Sequence, residues 1–309
     1  MKWLELSVEA DPEFVEPLFH IFNRYGSGGA VIENSDSFNP DEGEMPRIDG
    51  ALTIRAYLPI DENTQDKRSR IEVGVRLVNH VHPIDSFIVR EVEEEDWETK
   101  WEEHFRPVAI GENIVISPTW REGENGEGKV VILLDPGMAF GTGYHPTTRM
   151  CLELLEGVIF GGECVLDIGC GSGILSIAAV KLGADSSIGV DIDKVSTEVA
   201  VENCKINGVS DEISVVNGPI NQELISGRKF DVVLANISSK VIIDVSDLIA
   251  ETLLPDSRLI LSGILMESLD AVRDVMTRKG IRFEMVDLDG DWCAILASMV
   301  PLQSQGNSK

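Results

Sequence analysis

The sequence predicts an α/β protein of two domains: a small ferredoxin-like α+β domain, then a larger Rossmann-like domain built on a seven-stranded, mostly parallel sheet. Three observations predict it. Residues 1–93 give the order strand-helix-strand-strand-helix-strand, the signature of a split βαβ sandwich. From about residue 148 onward, short apolar strand-like runs alternate with helical patterns, which implies a parallel sheet covered on both faces. The first of those runs ends in three alternating glycines, Gly169, Gly171 and Gly173, and passes straight into a helix. A length of 309 residues leaves room for both domains.

The elements follow in order. Trp3 to Val8 alternates as a half-buried strand. Asp11-Pro12 offers an N-cap and a first-turn proline, and Phe14, Val15, Leu18, Phe19 and Phe22 recur at helical spacing until Gly26 to Gly29 stop the helix. Ala30 to Glu33 is a strand, residues 34–49 a polar, acidic loop, and Ala51 to Leu58 another strand. A charged helix with Ile71, Val75 and Val78 facing inward precedes the strand Ser86 to Val92. In residues 93–107, Trp97, Trp101 and Phe105 mark one amphipathic helix, read as a linker. Two β-rich segments follow, Ile114–Ile116 and Val130–Leu134, joined by a Gly/Glu-rich turn. The main domain takes strands at Cys164–Ile168, Ser187–Asp191, Glu212–Val216, Phe230–Asn236, Arg258–Gly263, Phe283–Leu288 and Cys293–Met299. The expected layout is a recognition domain over 1–93, a helical linker over 94–107, the main domain over 108–300 and a disordered tail over 301–309.

Composition narrows the function. No run of eighteen apolar residues exists and the N-terminus is no signal peptide, so a cytoplasmic chain that neither spans nor enters a membrane is expected. The five cysteines are scattered, without Cys-x-x-Cys pairs, and read as small thiols rather than metal ligands or a disulfide framework. Fifty-three acids against 26 bases leave a net charge of −27, and residues 1–135 already hold 29 of the acids against 13 bases. Both halves are acidic, so no direct nucleic-acid binding is expected, and a basic protein is the natural partner.

The glycine loop carries the chemistry. It reads Val165-Leu166-Asp167-Ile168-Gly169-Cys170-Gly171-Ser172-Gly173. Glycine serves where backbone turns sharply and approaches a ligand, and the helix that follows offers amides to an anionic group. A dinucleotide fingerprint needs its third glycine at position 174, which is Ile174. An acid two residues before the first glycine suits a cationic ligand and would repel a pyrophosphate. Asp191, at the end of the next strand and twenty-two residues past Gly169, is placed to accept both hydroxyls of a ribose. Asp193 is the cap of the following helix. Asn217-Gly218-Pro219 would edge an adenine, and Asn236 closes the fourth strand with an amide at the crevice. These features point to S-adenosylmethionine as cofactor, and the seven strands to a class I methyltransferase domain.

The segment Asp135-Pro136-Gly137-Met138-Ala139-Phe140-Gly141-Thr142-Gly143-Tyr144-His145-Pro146-Thr147-Thr148 is a tightly folded loop leading into a helix. Together with the 167–175 loop, Gly189 to Asp193 and Ala235-Asn236-Ile237, it resembles the PrmA family, the ribosomal protein L11 methyltransferases, over nearly the whole chain. The resemblance implies a protein N-methyltransferase that modifies lysine side chains and the N-terminal amine of a large-subunit ribosomal protein. It also implies that Thr148, Gly169, Asp191 and Asn236 contact the cofactor. Tyr144 stands where the family usually has threonine, and Ser238-Ser239 where Leu-Ala is common.

The expected cofactor set is therefore Thr148, Asp167, Gly169, Gly171, Gly173, Asp191 and Asn236, with Asn236 and the backbone around Phe140 orienting the amine. The sulfonium methyl is already activated, so the enzyme aligns the nucleophile and lets its proton leave. Enzymes acting on delocalised nitrogens carry (Asn/Asp)-Pro-Pro-(Tyr/Phe) after the fourth strand; here the sequence is Asn236-Ile237-Ser238-Ser239, which favours an alkyl amine. A monomer without a metal is expected. The competing readings are a methyltransferase of another protein, RNA or a small-molecule amine, and a non-catalytic ribosome-assembly protein.

Overall fold

A computed structural model describes residues 2–27, 30–34, 51–81, 83–84, 87–93, 107–121, 128–134, 143–225 and 227–299. The acidic loop from residue 35, nearly all of the expected linker helix, the tail and Phe140 lie outside the described residues. The chain divides into two compact units, residues 1–145 and 146–309.

The first unit begins β1 (Lys2–Ala10), α1 (Pro12–Tyr25), β2 (Ala30–Asn34), β3 (Leu52–Pro59), α2 (Thr64–Asn79) and β4 (Phe87–Glu93). The sheet order is β2-β3-β1-β4 with every neighbouring pair antiparallel, the arrangement that a split βαβ requires. α1 buries Val15, Leu18, Phe19 and Phe22, a 3-1-3 spacing that keeps one stripe inward. Asp11 holds the N-cap position and Pro12 the first helical one. α2 buries Ile71 and Val75 as expected, whereas Val78 is only half-buried.

The same unit carries a three-stranded sheet of β5 (Val108–Ile110), β6 (Ile114–Ser117) and β7 (Val130–Leu133). β5 and β6 form a hairpin turned at Gly111 (φ 59°), while β6 and β7 are parallel. The simple turn expected between β6 and β7 is thus incorrect. Parallel strands need a crossover, and that crossover includes a short helical turn at Thr119–Arg121.

The second unit opens with α3 (Pro146–Glu156) and then winds β8 (Cys164–Ile168), α4 (Ile174–Leu182), β9 (Ser186–Asp191), α5 (Lys194–Ile206), β10 (Ile213–Asn217), α6 (Gln222–Ile225) and β11 (Phe230–Asn236). It continues through α7 (Ser239–Asp244), α8 (Ser246–Thr252), β12 (Leu253–Leu265), α9 (Leu269–Arg278), β13 (Ile281–Asp289) and β14 (Trp292–Met299). The sheet order is β10-β9-β8-β11-β12-β14-β13. The first five are mutually parallel, and β14 runs antiparallel to both its neighbours. The core includes Leu166, Val233, Leu259, Leu261 and Ile295 at zero exposure. The chain moves outward from β8 to β10, then returns to start β11 on the other side of β8. That reversal lies at the carboxyl ends of β8 and β11, where open α/β sheets form their ligand crevice.

No helix among the described residues is long and apolar enough to cross a membrane. All five cysteines are free; four are buried and Cys164 is exposed.

Candidate functional site

The reversal point is built from the glycine loop, and its conformation explains its residues. Gly169, Gly171 and Gly173 have φ of 76°, 52° and 81°, in the left-handed region that side-chain-bearing residues avoid. A Cβ on Gly169 would stand 2.2 Å from Ile237 Cγ2. The Gly169 and Cys170 amides both donate to the Val190 carbonyl, at 2.7 and 3.1 Å, which ties the loop to β9. The Gly173 amide closes a turn onto the Cys170 carbonyl at 2.8 Å. Behind the loop, buried Asn203 on α5 donates to the Ser172 carbonyl at 2.8 Å. Gly173 supplies no side-chain cap to α4, so the helix presents its first turn to the crevice without one.

Asp191 ends β9 facing this loop. Its Oδ2 accepts from the Gly171 amide and its Oδ1 from the Asp193 amide, each at 2.9 Å. Both oxygens are therefore oriented, and each retains a lone pair for a further donor. Asp193 is the cap of α5, accepting from the Ser196 amide and hydroxyl at 2.9 and 2.7 Å. Those hydrogen bonds hold its carboxyl below the usual carboxylate range. Asn217 ends β10 and donates to the carbonyls of Asp191 and Ile192 at 3.2 and 3.4 Å.

Two buried acceptors stand out. Asp167, at zero exposure in β8, accepts from the Ser176 hydroxyl through Oδ2 at 2.8 Å, while Oδ1 has no hydrogen-bond partner. Burial, with a smaller push from the Asp191 charge, drives its carboxyl up to about 7. Asn236, ending β11, donates through Nδ2 to Thr148 Oγ1 at 3.4 Å, and its Oδ1 is likewise unpartnered. A buried acceptor left unmet costs about 1–3 kcal/mol. A bound group carrying N–H donors and positive charge would recover that, and the α-ammonium of an amino-acid tail supplies both. The cradle also leaves no Cβ beside Gly169, and a carboxylate at Asp191 suits a diol. S-adenosylmethionine fits this set.

The expected site residues Thr148, Asp167, Gly169, Gly171, Gly173, Asp191 and Asn236 all fall in the second unit; hydrogen bonds join Gly171 to Asp191 and Asn236 to Thr148, and β8, which carries Asp167, pairs with both β9 and β11. Phe140 lies outside the described residues. Sequence reading missed Ile237 and Gly263. Gly263 (φ 76°) sits in a register shift of β12, where a Cβ would stand 2.5 Å from the Ile237 carbonyl oxygen. An isolated glycine inside a strand pattern was the available signal. Asn203 and Ser176 were also missed, and their helical neighbours give no sign of them. His145 is buried and Tyr144 half-buried, and burial pushes the Tyr144 phenol up to about 12.

Comparison with known proteins shows the family. The family model for ribosomal protein L11 methyltransferase (PrmA) matches residues 2–299. The chain is similar to the ribosomal protein L11 methyltransferase of Herpetosiphon aurantiacus, at 37% identity over 95% of this chain and 98% of that one. It is similar to that of Pelotomaculum thermopropionicum at 38% identity, covering 97% and 99%. Among solved structures, the ribosomal protein L11 methylase of Lactobacillus delbrueckii subsp. bulgaricus matches with a TM-score of 0.57 at 28% identity, over 64% of this chain and 99% of that one.

Proposed function

Because the chain belongs to the ribosomal protein L11 methyltransferase family, we propose that it methylates lysine side chains and the N-terminal amine of ribosomal protein L11. It is a protein methyltransferase, and its methyl donor is S-adenosylmethionine. The observation that carries the site assignment is the pair of buried, unpartnered acceptors, Asp167 Oδ1 and Asn236 Oδ1, at the carboxyl ends of adjacent strands.

Bound in the crevice, S-adenosylmethionine supplies a methyl group already activated by its sulfonium. In this reading Asp191 accepts the ribose hydroxyls, held in place by the Gly171 and Asp193 amides. Gly169, Gly171 and Gly173 shape the cradle, and Asp167 takes the ammonium. Thr148 fixes the Asn236 amide, so that the Asn236 carbonyl oxygen accepts from an N–H group, and the backbone around Phe140 helps orient the incoming amine. An alkyl amine needs only to arrive deprotonated, because its lone pair is localised; the unperturbed α-amine titrates near ~8, so solvent suffices as base. The net charge of −27 suits a basic substrate protein. Residues 1–93 are proposed to recognise it, with 94–107 as linker and 108–300 as the catalytic region, in a cytoplasmic monomer.

Incubation with methyl-labelled S-adenosylmethionine, purified L11, other ribosomal proteins and ribosomal RNA tests the proposal. Label on L11 alone is expected; label on RNA, or none on any acceptor despite cofactor binding, overturns it.

A further inference from the structure

One feature of the core is unexplained by the fold. Ser187 on β9, Ser176 on α4 and Asp167 on β8 are exposed by only 1%, 1% and 0%. Three polar side chains buried this deeply cost desolvation energy that aliphatic residues would not. They are joined in a chain: the Ser187 hydroxyl donates to Ser176 Oγ at 3.0 Å, and the Ser176 hydroxyl donates to Asp167 Oδ2 at 2.8 Å. The Ser176 amide donates to the same carboxylate. The chain stops short of closure, because Asp167 Oδ1 has no partner.

We infer that Ser176 and Ser187 are positioning residues of the cofactor site, whose hydroxyl chain fixes Asp167 through one oxygen and keeps the other as the acceptor for the cofactor's ammonium. The inference rests on the cofactor reading above and adds a linkage to protons. Each hydroxyl has a single proton. With Ser187 donating to Ser176, and Ser176 donating to Oδ2, a proton on Asp167 must reside on Oδ1. That is the atom the ammonium needs, so proton and ligand compete for one lone-pair face. The groups around Asp167 leave this competition legible near neutral pH. Cys151 on α3, Cys170 in the loop and Cys204 on α5 are all held protonated by burial, Cys151 up to about 12 and Cys204 up to about 11. Asp191 is the one charge among them, and it opposes ionisation of Asp167.

The test uses the full chain. A carbon-13 NMR titration of the Asp167 carboxyl in the ligand-free protein should have its midpoint near neutrality. In Ser176→Ala, loss of a hydrogen bond to the charged form should raise that midpoint by about one pH unit. Ser187→Ala should move it the same way by less. Calorimetry with S-adenosylhomocysteine, which retains the ammonium, should give affinity rising up to about tenfold per pH unit from 5.5 toward 7 and then levelling. Ser176→Ala should shift that curve upward in pH and converge on wild type at alkaline pH, while Asp167→Asn should be flat. A merely structural serine would weaken binding equally at every pH. If Ser176→Ala does not fold, Ser187→Ala alone decides. A midpoint near the ordinary aspartate value, or a uniform loss without a shift, overturns the relay with cofactor binding intact. Absence of S-adenosylhomocysteine binding by the wild type at any pH overturns the cofactor reading itself.

Discussion

Replacing Gly169 by alanine should destabilise the second unit by roughly 2–5 kcal/mol, and the structure separates that figure into two parts. The backbone part comes from φ of 76°, which costs a residue with a Cβ roughly 1–2 kcal/mol. The packing part comes from Ile237, whose Cγ2 would lie 2.2 Å from the new Cβ, well inside the contact distance of about 3.5–4.0 Å. Forcing an extra carbon into a packed site costs typically about 1–3 kcal/mol. Gly162→Ala is the matched control, since φ is 93° there and nothing lies within 4 Å of the added atom; only the backbone part applies. Ile237→Ala removes the obstructing methyl, so the double variant Gly169→Ala/Ile237→Ala should recover about 1–3 kcal/mol relative to additivity. Hydrogen exchange of the β8 and β9 amides reads this unit separately from residues 1–145. If Gly169→Ala costs no more than Gly162→Ala, or the double variant is additive, the close approach of Ile237 is not what demands glycine.

Three other outcomes follow from the same network. Asp191→Ala should raise the S-adenosylhomocysteine dissociation constant at least about 100-fold, since it removes both proposed ribose acceptors and the anchor of the Gly171 amide; unchanged calorimetry refutes the proposed role. Asn203→Ala should cost about 1–3 kcal/mol in local stability, because a buried hydrogen bond to the Ser172 carbonyl is lost, and slower cofactor association should accompany it. For Asp167 the folded carboxyl titrates near 7 against about 3.8 for a free side chain. The folded state therefore keeps its proton where the unfolded chain has lost it, and stability from this group falls as pH rises from about 4 to about 7, then stays flat. Asp167→Asn abolishes that fall, so its stability relative to wild type should rise by about 3 kcal/mol between pH 4.5 and 8; a difference that does not vary with pH contradicts the buried, half-satisfied carboxyl.

Much of the fold was legible because its signals are local. The alternation of apolar runs and helical stripes needs only neighbouring residues, and the strand at Cys164–Ile168, with its bounds, is the one observed. Element order also foretold the antiparallel β2-β3-β1-β4 sheet, because short connections leave few topologies. The three-residue strand Val108–Ile110 was invisible for the opposite reason: so short a run has no periodicity, and it is a strand only because Ile114–Ile116 pairs with it. The parallel pairing of β6 with β7 was misread as a turn because sequence records that two strands exist and not which way they meet.

By itself the sequence determined that a glycine-rich loop joins a buried strand to a helix, since φ above zero selects glycine wherever the chain is read, and that an acid stands at each of Asp167 and Asp191. Only the tertiary structure decided what those acids do. Asp191 takes its amides from Gly171 and Asp193, whereas Asp167 spends one oxygen on a serine nine residues away and keeps the other unmatched. Hydrogen-bond satisfaction and desolvation depend on which distant segments close around a side chain, and that enclosure exists only once β8, β9 and α4 have packed.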